Sequence, residues 1–83
     1  MNRIKFIAQG VVGKSFTHWE NLHSVPFLGM LVCFDELLTK ERNDELISII
    51  GAYKGFLEVT KINLSKDESG LYYKVFCEYV LHK

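Results

Sequence analysis

Apolar and polar positions along the chain divide it into segments of different period. Residues 3 to 9 alternate, with Ile4, Phe6 and Ala8 on one side and Lys5, Ile7 and Gln9 on the other, which predicts a strand. Gly10 and Gly13 bracket a turn. Residues 14 to 24, KSFTHWENLHS, read two ways. They suit a second strand returning on the first, or a short helix carrying Phe16, Trp19, Leu22 and His23. Pro26 ends whatever precedes it. Residues 27 to 34, FLGMLVCF, are continuously apolar and of strand length, so a strand covered on both faces is expected.

A polar stretch, TKERND, follows, and Asn43 is placed as a helix N-cap with Asp44 and Glu45 in the first turn. Leu46, Ile47, Ile49, Ile50 and Tyr53 then form one apolar stripe. Lys54 and Gly55 provide a basic last turn and a capping glycine, and Gly51 inside this helix implies close packing on the sheet. Residues 56 to 64 and 71 to 82 read as a hairpin linked by SKDESG. One face of its second strand is apolar (Leu71, Tyr73, Val75, Cys77, Tyr79, Leu81). The other mixes bulk and charge (Tyr72, Lys74, Phe76, Glu78, Val80, His82). A strand of that length belongs in the middle of the sheet. The expected fold is α+β: one domain over residues 1–83, an antiparallel or mixed sheet of about four strands packed on one or two helices.

Composition adds limits. At 83 residues with 48% hydrophobic and 13% aromatic side chains, a modest core forms and disorder is not expected. Ten basic residues balance ten acidic ones, and this neutrality makes nucleic acid an unexpected partner. The balance is uneven. Residues 27 to 53 hold Asp35, Glu36, Glu41, Asp44 and Glu45 against Lys40 and Arg42, a solvated helix face or a surface for a basic partner. Cys33 and Cys77 lie in apolar runs and read as buried, reduced thiols. A disulfide between them is compatible with neighbouring strands, but nothing calls for one. No run is long enough to span a membrane and no cleavable leader is visible, so a cytoplasmic protein is expected.

One motif suggests chemistry. The stretch AQGVVGKS (residues 8 to 15) resembles the phosphate loop of P-loop NTPases, with Gly10 and Gly13 flexible and Lys14 and Ser15 in register. MLVCFDE (residues 30 to 36) resembles the acidic strand of the same family. The resemblance implies a phosphate or nucleotide held by Gly10, Gly13, Lys14 and Ser15 at a helix N-terminus. The rest of the chain does not support it: the candidate helix is weak, and one secure helix plus a terminal hairpin is not a parallel sheet clothed on both sides.

His18 and His23 are five apart, not the four that places two ligands on one helical face, and His82 is distant, so no metal is expected. A small ribonuclease toxin remains an alternative, though such proteins tend to be basic. No cofactor or catalytic set is expected, and what remains is a non-catalytic protein-binding module. Small stoichiometric inhibitors of the immunity, antitoxin or phage anti-defence type have these dimensions. Large aromatics beyond the needs of a small core mark the expected interface: Phe16, Trp19, Tyr72, Phe76 and His82. Alternatively, residues 14 to 24 and the helix cover the two faces of the sheet between them and absorb these side chains. An edge strand, the first one by expectation, offers a route to a homodimer.

Overall fold

The computed structural model describes residues 1–10, 13–51 and 56–79. Among these the chain forms strands β1 (Asn2–Gln9), β2 (Ser15–Leu22) and β3 (Leu31–Cys33), helices α1 (Phe34–Leu37) and α2 (Lys40–Ile50), then strands β4 (Phe56–Asp67) and β5 (Gly70–Glu78). The strands make one mixed sheet in the order β2-β1-β5-β4-β3. Only the β1–β5 pair is parallel among them. The class is α+β, as expected, but with five strands instead of about four. The extra one is β2, which settles the ambiguous stretch as a strand paired antiparallel with β1 from Asn2↔Leu22 to Gln9↔Ser15.

The expected long strand over residues 27 to 34 is not formed. Phe27 and Leu28 are 65% and 64% exposed, and Gly29 adopts a φ of 85° within a turn. That left-handed residue interrupts the extended run. Only Leu31–Cys33 pair with β4, and Leu31 and Cys33 are exposed while Val32 is buried. Cys33 is therefore not the buried residue its neighbours suggest. Phe34 instead begins α1, where Asp35 and Glu36 occupy the first turn and favour the helix dipole.

The N-cap of helix α2 lies four residues before the expected one. Thr39, not Asn43, is the N-cap, its hydroxyl accepting from the Arg42 backbone N–H at 3.3 Å. The polar TKERND stretch is thus helix rather than loop: Lys, Glu and Arg are good helix formers, and polarity alone does not distinguish a solvated helix face from a connection. Gly51 closes the helix with φ 81°, donating to Ile47 O at 2.9 Å. Its role is that of a C-cap, and a Cβ there would meet nothing within 4 Å, so the expectation of close packing at Gly51 is corrected. Tyr53, Lys54 and Gly55, expected to end the helix, lie outside the described residues.

The core lies on one side of the sheet. Ile4, Phe6 and Ala8 of β1, Phe16 of β2, Leu57 and Val59 of β4 and Val75 and Cys77 of β5 are buried there beneath Phe34 and Leu46 from the helices. Phe34 meets Phe6 edge to face, 5.5 Å between centroids. Arg42 of α2 lies over the Phe16 ring at 4.4 Å and donates to the Thr17 carbonyl, so β2 is tied to the helical layer at its edge. Strand β5 occupies the centre of the sheet, as expected, although at nine residues it is shorter than the twelve-residue β4. Strand β1, expected as the exposed edge, is interior; β2 and β3 are the edges.

Candidate functional site

Among the described residues of the stretch 8 to 15, Gln9 pairs with Ser15 at the end of the β1–β2 ladder. Just beyond that pair, Gly10 N–H donates to Lys14 O at 2.7 Å. Ser15 opens a strand, so no helix N-terminus directs amides at an anion. Gly10 has a packing role instead. A Cβ at this position would lie 2.2 Å from Ile49 O and 2.6 Å from Ile49 Cγ2, so glycine lets the hairpin lie against the end of α2. The acidic pair Asp35 and Glu36 belongs to α1.

The opposite face of the sheet has a different character. Alternation that buries Ile4, Phe6 and Ala8 turns Arg3, Lys5 and Ile7 outward, and register carries the pattern across the strands. Lys5 faces Trp19 on β2 and Lys74 on β5, and Lys74 faces Asn63 on β4. Beside that row lies another, with Ile7 between Thr17 and Phe76, and Phe76 facing Lys61. A β-bulge at Thr60 makes the last contact available. Leu57 and Val59 point to the core, and strict alternation would send Lys61 there too. The register shift between Val59 and Lys61 turns Lys61 outward and Ile62 inward.

The side chains of this face interact. Trp19 and Tyr72 rings lie 5.0 Å apart. The Arg3 guanidinium sits 5.2 Å from the Trp19 ring and 5.6 Å from Tyr72, and Lys5 Nζ is 5.7 Å from Trp19. Lys61 Nζ lies 5.4 Å from Phe76. Trp19 nonetheless remains 44% exposed. Arg3 is fixed by Asp67, its two terminal nitrogens donating to the carboxylate oxygens at 3.1 and 2.7 Å. That hydrogen bond raises the Arg3 pKa and lowers that of Asp67 below its usual 3.8. Arg3, Trp19, Glu20, Asn21 and Ser69 line a shallow depression of about 450 Å³ at this end.

Among the described residues Lys5, Lys61 and Lys74 have no ion-pair partner. Lys5 and Lys74 face each other across the parallel pair, an arrangement of like charges that costs stability. The acids of this face stand at its rims: Asp67 holding Arg3, and Glu58 facing Glu78 at the other end. Both helices lie on the far side with Asp35, Glu36, Glu41, Asp44 and Glu45.

Of the five expected interface residues, the structure brings Trp19 and Tyr72 together and sets Phe76 on the same face. Phe16 is 1% exposed and belongs to the core. It alternates on β2 with Trp19, so the strand assignment itself separates the two. His82 lies outside the described residues. Sequence reasoning passed over Arg3, Lys5, Lys61 and Lys74, although the alternation of β1 and β5 marks three of them. His18, on the helix side, has an enclosed Nε2 that makes no hydrogen bond, with Glu20 Oε1 3.5 Å away. His23 is exposed, and among the described residues no three His, Cys, Asp or Glu side chains converge on a metal position. Nor is any helix among them long and apolar enough to cross a membrane.

No family model matches the chain, and no curated protein or solved structure matches it either.

Proposed function

We propose that this protein is a non-catalytic binding module, working in the cytoplasm, that holds a macromolecule one-to-one against the open face of its sheet. The observation that carries the reading is the juxtaposition on that face of Trp19, Tyr72 and Phe76 with Arg3, Lys5, Lys61 and Lys74. Aromatic and arginine side chains dominate binding energy where surfaces meet, and cations left without acids favour an anionic ligand. The test is capture from cell extract on immobilised protein. Wild type is expected to retain a stoichiometric ligand that Trp19→Ala and Lys74→Glu lose while keeping the wild-type circular dichroism spectrum. Identical retention by all three proteins, or none by wild type, sinks the reading.

A second observation favours a partner protein, in the manner of a small inhibitor. Phe27, Leu28 and Leu31 are exposed beside β3, a three-residue edge strand with its outer side unpaired among the described residues. An unpaired edge flanked by apolar side chains is a template for an added strand. In that case Leu31→Lys, not Trp19→Ala, abolishes capture.

A further inference from the structure

Resting on the reading of the open face as the binding surface, we propose that its ligand is single-stranded nucleic acid, with bases stacked on Trp19 and Phe76 and phosphates against Lys5, Lys74 and Lys61. Three observations converge. The first is charge. Lys5 and Lys74 are adjacent, and Lys61 stands one strand further on, with no acid between them among the described residues. This cost to the free protein is removed by a polyanion, which brings several negative charges at the spacing of neighbouring strands.

The second is the placing of the aromatics. Trp19 with Tyr72 lies at one end of the face, and Phe76 lies near the other. Flat rings separated by cations match a ligand that alternates π-faces with phosphates, and a single strand has that form. A duplex hides its base faces in its own stack and offers a sheet surface only its phosphates. An acidic protein satisfies the lysines but gives the separated rings no matching flat groups.

The third is the distribution of charge over the molecule. The net charge of zero averages two unlike sides. The helical layer carries Asp35, Glu36, Glu41, Asp44 and Glu45 against Lys40 and Arg42, and the centre of the open face carries cations. A polyanion approaching such a molecule is steered to one side, so neutrality of the whole does not weaken the face.

The experiment is fluorescence anisotropy with end-labelled twelve-residue oligo-dT and oligo-U, an unlabelled twelve-base-pair duplex and heparin as competitors, and Trp19 emission as a second readout. A single strand is expected to bind at least ten-fold more tightly than the duplex and to quench Trp19. Log affinity should fall against log salt with a slope of about −2, as for roughly three phosphates neutralised on a single strand. Trp19→Ala and Phe76→Ala should each weaken binding about ten-fold, and the pair Lys5→Glu with Lys74→Glu should weaken it further. Asp44→Lys, on the helical layer, should change it less than two-fold.

If duplex or heparin competes as well as single strand, or if Trp19→Ala binds as wild type does, the inference falls. The binding-module reading then stands or falls separately, on extract capture. If no oligonucleotide binds but wild type retains a protein from nuclease-treated extract that Trp19→Ala loses, the inference falls and the module stands with an acidic protein as its occupant.

Discussion

Single residues here are constrained by contacts their type does not announce. Gly10→Ala must displace the Ile49 backbone as well as its side chain. The expected loss is about 1–3 kcal/mol, read as a lowered midpoint in urea unfolding. The two thiols differ in the same local way. Burial pushes Cys77 up to about 12, and Cys33 is exposed. One equivalent of a thiol reagent should therefore react quickly at pH 8, and the second only after unfolding. Because the folded pKa of Cys77 is raised, its contribution to stability is complete below about pH 9 and is lost as pH rises towards 12. Cys77→Ala should flatten that alkaline decline. Asp67 behaves in the opposite sense. Its pKa is depressed by Arg3, so the stability it provides is present at neutral pH and disappears as pH falls through the acid range. Asp67→Asn should remove that part of the acid transition in thermal melts.

Elements were legible where period and turn chemistry agreed. The alternation of Ile4, Phe6 and Ala8 and the polar link before Gly70 place β1 and the β4–β5 hairpin close to where they are found. Residues 14 to 24 stayed ambiguous because Phe16, Trp19 and Leu22 satisfy a helical spacing while Phe16, His18, Glu20 and Leu22 share a strand face. Pairing with β1 decides between them, and no local window contains it. For the same reason the open face was legible only in part, as the mixed side of the last strand carrying Tyr72 and Phe76. With residues 14 to 24 as a helix, it would have been covered. The bulge is a different case, since the slip in the apolar series from Leu57 and Val59 to Ile62 and Leu64 is present in the sequence. Deleting Thr60 joins Val59 to Lys61 and should restore strict alternation with Lys61 still outward and Ile62 still inward, so the thermal midpoint should shift by no more than a few degrees. Helix α2 is held mainly by Leu46, which is fully buried. Leu46→Ala should cost about 2–5 kcal/mol, a large share of the stability of a chain this size, measured by urea unfolding.

At the scale of the molecule, the two sides of the sheet answer to different demands. The helix side is close-packed, so substitutions there act on folding. On the open side, replacing Lys5, Lys61 or Lys74 should leave folding unharmed. Lys74→Glu places an acid opposite Lys5, replacing repulsion by attraction, and should raise stability by about 0.2–1 kcal/mol. A variant that melts later yet retains less ligand separates binding from folding in one comparison. The central position of β5 has a consequence for how the chain is made. Strand β1 leaves the ribosome early, and its hairpin with β2 forms from near neighbours. The other side of β1, with Phe6 and Ala8 waiting for Val75 and Cys77, has no partner until residues 70–78 have been synthesised. Until then the growing chain carries an unsatisfied strand border beside Phe6 and Ala8. That is the interval in which a chaperone has most to do and in which two nascent copies could pair wrongly.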